Sequence, residues 1–148
     1  AMFFITAKVS KKKIIYTLLV FLAAAAIIIF LPRSGGGQKA PAAETCEQRV
    51  ELLSQFGWTV DPVSEDIQNI FIPEDFPDTY VQYNKLQQQS GFNLEEYTGR
   101  DAARYSYQVL NYPDYEGPVY ADLLVCDGVL IGGDIHSLSL DGFMVGLR

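Results

Sequence analysis

Eighteen consecutive uncharged residues, Ile14 to Leu31, constrain this chain more than any other feature. The run IIYTLLVFLAAAAIIIFL is preceded by Lys8, Lys11, Lys12 and Lys13 and closed by Pro32. As a helix rising 1.5 Å per residue it would reach about 27 Å, just enough for a hydrocarbon core of about 30 Å. Only Arg33 and Lys39 follow it closely. The lysine excess therefore predicts a cytoplasmic N-terminus and an extracytoplasmic remainder. The expected plan is a basic cytoplasmic stub (1–13), a transmembrane signal-anchor helix (14–31) held in the lipid bilayer, a flexible linker (32–43) and an extracytoplasmic domain (44–148). A cleaved signal peptide is the competing reading, since Ala40 and Ala42 in KAPAAE make an A-x-A pattern. The run is long for such a peptide and the pattern lies far beyond its end, so a retained anchor in the cell membrane is expected. A lipoprotein fits less well, because Cys46 follows Thr45 at a distance from the run.

Charge divides the chain at the same place. All 18 acidic residues lie from Glu44 onward, against Arg49, Lys85, Arg100, Arg104 and Arg148, a net of −13, whereas everything earlier is +6. A −13 surface repels phosphate, which excludes nucleic acid as a partner. The linker PRSGGGQKAPAA has no apolar periodicity and reads as a flexible spacer.

Two amphipathic stretches follow. In TCEQRVELLSQFGW, Thr45 and Gln48 form a capping box, Cys46, Val50, Leu53 and Phe56 share one face, and Gly57 ends the helix. WTVDP and NIFIP read as short extended pieces, the first stopped by Pro62. PDTYVQYNKLQQQSGF then predicts a helix from Pro77 to Gly91, with Phe76, Tyr80, Tyr83 and Leu86 or Gln87 on one face. Period-two alternation takes over in RYSYQVLNY and in VYADLLVCDGVLIGGDIHS. Asp127-Gly128 is the dipeptide a two-residue type I′ turn prefers. It predicts a hairpin with Cys126 opposite Val129, Leu124 opposite Ile131 and Val119 opposite His136. One face would carry Tyr120, Leu124, Cys126, Val129, Ile131 and Ile135, and the other Val119, Ala121, Leu123, Val125 and Leu130. Both are apolar near the turn, so both should be covered. The expected class is α+β: an N-terminal transmembrane helix, then helices packed on an antiparallel sheet of about three strands that includes a C-terminal hairpin.

The two cysteines leave two readings. Joined in an oxidising compartment, Cys46 and Cys126 would close a loop of about 80 residues, worth about 4 kcal/mol in the chain-entropy model. Otherwise they are buried free thiols, each on an apolar face. Under either reading the hairpin face of Cys126 is expected to pack against the helix face of Cys46.

Reactive chemistry is thinly marked. His136 is the sole histidine, two residues after Asp134 and five before Asp141. Asp134 would share its strand face and could orient the imidazole. No H-x-x-x-H or C-x-x-C spacing supports a metal, and no G-x-S-x-G elbow surrounds Ser137 or Ser139. No cofactor motif is present. The plainer account is architectural: a strand end, a turn at Asp141-Gly142, and Phe143 and Met144 packed back on the core. Gly132 and Gly133 would mark a bulge or a close approach, filled by an aromatic such as Tyr80 or Tyr83. Tyr105, Tyr107, Tyr112 and Tyr120 are candidates for a platform binding a peptide or glycan, although tyrosine is also a favoured strand residue.

The blocks GWTVDP, IPEDFPDTYVQYNKLQQQSGFNLEEYTGR, RYSYQVLNYP and LLVCDGVLIGGDIHSLSLDGFM, in that order, cover nearly all of residues 46 to 147. Together they resemble a family of small membrane-anchored bacterial proteins, mainly from Firmicutes, classed as domain of unknown function 4830. The resemblance implies location and architecture and transfers no catalytic or binding residue. The function expected is a binding or interaction module at the cell envelope, with an envelope protein, peptide or glycan as ligand. The alternative is a small envelope hydrolase using carboxylates and His136.

Overall fold

The computed structural model describes residues 40–148. The stub, the transmembrane helix and most of the linker expected from the sequence lie outside them. Among the described residues, no helix is long and apolar enough to cross a membrane. The remainder is α+β. In chain order it has α1 (Cys46–Gln55), β1 (Val60–Phe71), α2 (Asp78–Gln89), a 3-10 turn (Leu94–Tyr97), β2 (Asp101–Val109), β3 (Val119–Cys126), β4 (Val129–Ser137) and β5 (Met144–Gly146). The five strands form one antiparallel meander in sequence order. Its two faces carry separate apolar clusters, as the pattern of the hairpin predicts. Leu52 and Leu53 of α1 pack with Tyr107, Val109, Val119, Ala121, Leu123, Val125, Leu130 and Ile135 on one. Ile72, Leu94, Leu124, Cys126 and Ile131, with Tyr83 of α2, occupy the other.

The local signals for both helices hold. Thr45 accepts from the Gln48 amide and Gln48 reaches back to Thr45, completing the capping box. Gly57 and Gly91 follow the helix ends at φ +96° and +87°, which glycine adopts without penalty. Asp127 and Gly128 both have positive φ, as a type I′ turn demands.

Five expectations need correction, the first being the strand count, five rather than about three. WTVDP and NIFIP belong to one strand, because β1 is an edge strand and tolerates Pro62. Residues 62–65 loop out between the pairs Asp61–Gln108 and Asp66–Ser106, so the missing N–H costs no ladder bond. The hairpin register slips by one residue where a bulge falls between Leu124 and Val125. Leu124 faces Gly132, Tyr120 faces His136 and Val119 faces Ser137. The slip moves Ile135 to the α1 face. The last residues read as linker are part of the domain. The Ala43 amide donates to Gly128, the Leu130 amide donates to Pro41, and Ala43 is buried. Finally, Met144 opens β5 and is half exposed, whereas Phe143 does pack on the core.

The glycines at 132 and 133 are closely approached, but by aliphatic and amide groups. A Cβ on Gly132 would lie 2.9 Å from Gln87 Oε1, and one on Gly133 would lie 2.4 Å from the Asp122 carbonyl and 2.7 Å from Leu147.

Candidate functional site

One rung of the sheet crosses all five strands on the α2 side: Asp66, Ser106, Asp122, Asp134 and Gly146. The next rung places Gln108, Tyr120, His136 and Met144 in line. Alternation along each strand therefore puts Asp122, Asp134 and His136 on one face, where α2 covers them. Both carboxylates are buried, and the imidazole is the partly exposed member. Tyr83 of α2 donates to Asp134 Oδ2 at 2.6 Å. His136 Nδ1 lies 3.0 Å from Asp134 Oδ1 and 3.9 Å from Asp122 Oδ2. Since a carboxylate oxygen only accepts, the shorter contact places a proton on Nδ1. Ser106 donates to Asp122 Oδ1. Arg104 Nε stands 3.6 Å from Asp122 Oδ2, an ion-pair distance too long for a hydrogen bond. The His136 ring lies against Tyr120, centroids 6.1 Å apart.

Electrostatics in this cluster favour protons. The hydrogen bond to Asp134 raises the His136 pKa against the opposing effect of burial, and the Asp122 charge adds to the rise. Burial raises the Asp122 carboxyl although Ser106 and His136 work the other way. Burial also pushes the Tyr83 phenol well up, so it remains a donor. Asp122, Asp134 and His136 bring one donor atom each within 4.8 Å of one another, close enough to be tested as a cation site. Every carboxylate oxygen there already has a hydrogen-bond or ion-pair partner, however. The arrangement is a closed network that holds and shares protons.

A second polar cluster is buried on the α1 side. Arg49 donates from Nε to Tyr107 at 2.8 Å, from Nη1 to the carbonyls of Ala43 and Glu44 at 2.9 Å each, and from Nη2 to Glu65 at 2.8 Å. Its guanidinium lies over the Tyr105 ring at 3.6 Å from the centroid. Tyr107 also bonds Glu65, and its hydroxyl approaches Cys46 Sγ at 3.9 Å. Burial alone would raise the Glu65 carboxyl; the bonds from Tyr107 and Arg49 outweigh it and hold the group low. Four donors of the guanidinium fork are hydrogen-bonded to groups of the fold, so this cluster ties α1 and the chain before it to the sheet.

The tyrosines do not make one platform. Tyr105 and Tyr107 belong to the Arg49 cluster, and Tyr120 sits on the opposite face beside His136. Tyr112 joins a third group, stacked on Trp58 (5.7 Å, 9°) and on Phe143 (4.6 Å, 20°), with Tyr115 edge-on to Phe143. Trp58 Nε1 donates to the Leu147 carbonyl at 2.9 Å. Asp141 is exposed in the β4–β5 turn and does not join the buried carboxylates. Of the two cysteine readings the free thiols hold, but the expected packing of the Cys126 hairpin face on the Cys46 helix face is corrected. Cys46 packs with the α1-side cluster and Cys126 with the α2-side cluster, so the sheet separates them.

The β4–β5 loop has a distinct character. Ser137 and Phe143 close it, with the Ser137 amide donating to the Phe143 carbonyl at 3.1 Å and the Phe143 amide to Ser137 Oγ at 3.2 Å. Gly142 donates to the Ser139 carbonyl at 2.9 Å, and Ser139 Oγ meets the Tyr115 hydroxyl at 2.8 Å. Against this bracing, Leu138 is 68 % exposed and Leu140 fully so.

Asp122 and Arg49 are the buried cluster residues that sequence reasoning missed. Each left a signal. Asp122 is a single charge inside VYADLLVC, a strand otherwise buried almost throughout. Arg49 lies beside Val50 and Leu53 on a helix that should present apolar groups to the sheet.

No curated protein and no solved structure matches the chain. A family model described as a domain of unknown function matches residues 52–135, from the last turn of α1 into β4. That span holds Asp122, Asp134, Tyr83 and Ser106, and it stops one residue short of His136. It covers more than half of the sequence, and the chain therefore belongs to the domain of unknown function family DUF4830.

Proposed function

We propose that this chain is a single-pass membrane protein displaying an interaction module outside the cell membrane, and that the module docks an apolar segment of another envelope protein on its β4–β5 loop. The apolar run at 14–31 with its lysine-rich N-terminal flank supports the anchoring and orientation. One observation carries the docking: a hydrogen-bonded loop holds Leu138 and Leu140 in solvent, with half-exposed Met144 beside them. Isolated apolar residues on a surface are ordinary, but several on one braced loop make a patch of the kind that marks contact surfaces. Bracing also lowers the entropy lost on docking. A peptide is favoured over a glycan because Tyr112 lies between Trp58 and Phe143, both of its faces taken, whereas sugar stacking needs a free ring face. The hydrolase reading has less support. Asp122 and Asp134 are buried away from any substrate, and the hydrogen bond of His136 goes to Asp134 rather than to a nucleophile.

A photo-reactive residue at Leu140, in the full chain in native membranes, should give a discrete crosslinked protein that Leu138→Asp abolishes. The same residue at exposed Glu51 on α1 should give none. No product at 140, or the same products from both positions, would overturn the docking surface. A reporter enzyme fused after Arg148 should be active only outside the membrane, and cytoplasmic activity would reverse the orientation.

A further inference from the structure

Helix α2 is held to the sheet in an unusual way. Its buried residues are Asn84 and Gln87 rather than an apolar stripe. Asn84 accepts from the Leu94 amide at 2.8 Å and donates to Asn93 at 3.0 Å, bonds that tie α2 to the 3-10 turn after it. Between α2 itself and the sheet, Tyr83 donates to Asp134 and Gln87 Oε1 accepts from the Gly133 amide at 2.7 Å. Just beyond it, Ser90 Oγ accepts from Arg148 at 3.4 Å. A helix seated by so few polar bonds opens at lower cost than one seated by a broad apolar face. One of those bonds ends on Asp134, a member of a buried pair of carboxylates.

The charges facing that pair can be named element by element. Arg104 and Ser106 come from β2, Tyr120 and Asp122 from β3, Asp134 and His136 from β4, and Tyr83 from α2. From β1, Asp66 stands beside Ser106 in the rung, and Gln68 bonds Arg104 and draws it outward. β5 contributes Met144 and Gly146, without charge. Arg104 is 41 % exposed and keeps 3.6 Å from Asp122, so solvent weakens its compensation. His136 is the one cation that can stand against both carboxylates, and it is a cation only when protonated.

We propose that the Asp122–Asp134–His136 cluster is a proton-operated latch that seats α2 on the sheet. With the proton present, imidazolium lies against both carboxylates, and Asp134 is held in place to accept from Tyr83. When pH rises, the proton leaves for solvent from the partly exposed ring. Two buried carboxylates then face each other across the β3–β4 ladder with only the half-exposed Arg104, 3.6 Å from Asp122 Oδ2, to offset them. Water must enter to solvate them, and the bond that water most directly competes with is the one from Tyr83. The latch thus couples external pH to the docking of one helix. Its output lies next to the β4–β5 loop, because Met144 pairs with His136.

The full chain in detergent micelles provides the test, since the single histidine gives an unambiguous ring-proton NMR signal. The midpoint of His136 should lie above about 6.5, the ordinary histidine value. As pH passes through that midpoint, amide exchange in α2 should accelerate several-fold beyond its intrinsic pH dependence. Exchange in α1 should show no such excess. Asp122→Asn should lower the midpoint and flatten the α2 response, and His136→Gln should flatten it too. A midpoint at or below the ordinary value in the unaltered chain would overturn the proposal, whether or not the variants fold. So would equal acceleration of α1 and α2. If α2 exchange at fixed pH responds instead to added zinc or magnesium, and EDTA reverses it, the cluster is a cation site and the latch is wrong.

Discussion

Asp122 and Asp134 face each other across the β3–β4 ladder, 3 % and 1 % exposed. This pairing sets the pH dependence of the domain. Asp122 is raised by its burial and His136 by its bond to Asp134, so both bind protons more tightly folded than unfolded. The stability they contribute is complete below their unfolded values and is lost as pH rises through the folded ones. For His136 that loss begins near about pH 6.5 and for Asp122 near about 3.9. Glu65, held low, acts oppositely: its contribution is present above about pH 4.3 and lost as pH falls through its folded value. Thermal melts across pH should therefore peak near about pH 4, where the Glu65 contribution has arrived and the Asp122 loss has barely begun, and fall again above about pH 6.5. A peak above about pH 8 would contradict this.

Arg49 is buried with four hydrogen-bonded partners. Arg49→Ala removes the charge that Glu65 is buried against and should cost about 3–5 kcal/mol in urea denaturation. Arg49→Lys keeps the charge without the planar fork and should cost about 1–3 kcal/mol, through carbonyls left unpaired. Equal midpoints for the two variants would show that geometry is irrelevant there.

Gly133 has no room for a methyl group between the Asp122 carbonyl and Leu147. Gly133→Ala should destabilise by about 1–3 kcal/mol, the usual cost of overpacking. Met144→Ala, at an exposed position, should stay within about 0.5 kcal/mol of the original. If the two effects were reversed in urea titrations, the β4–β5 geometry would be wrong.

With a sheet between them, the thiols cannot pair in the folded domain. Dithiothreitol should leave the melting temperature unchanged, and denaturation without reductant should release two titratable thiols. A lower melting temperature in reductant would contradict the placement of Cys46 and Cys126 on opposite faces.

Where a structural rule acts locally, the sequence was enough. The Thr45–Gln48 capping box, the glycines after each helix and the Asp127-Gly128 turn all depend on neighbouring residues. The errors arose where distant partners decide. An unpaired residue between Leu130 and Gly132 shifts everything after it by one, which exchanged the faces assigned to Ile135 and changed the partner of His136. Pro62 ends a central strand but not an edge strand, and edge position is a property of the whole sheet. Asp134 and His136 were legible as neighbours because two residues of one strand share a face. Asp122 was not, because only the β3–β4 register brings it opposite Asp134.

The proposed function turns on whether the loop leucines serve binding rather than folding. The direct measurement is a Leu138→Ser/Leu140→Ser double variant of the full chain carrying a photo-reactive residue at Met144, examined by thermal melt and by crosslinking in native membranes. Surface changes of this kind should shift stability by no more than about 0.5 kcal/mol each, while the crosslinked partner seen with both leucines present should disappear. An unchanged crosslink, or a domain that unfolds when the two leucines are removed, would contradict the account.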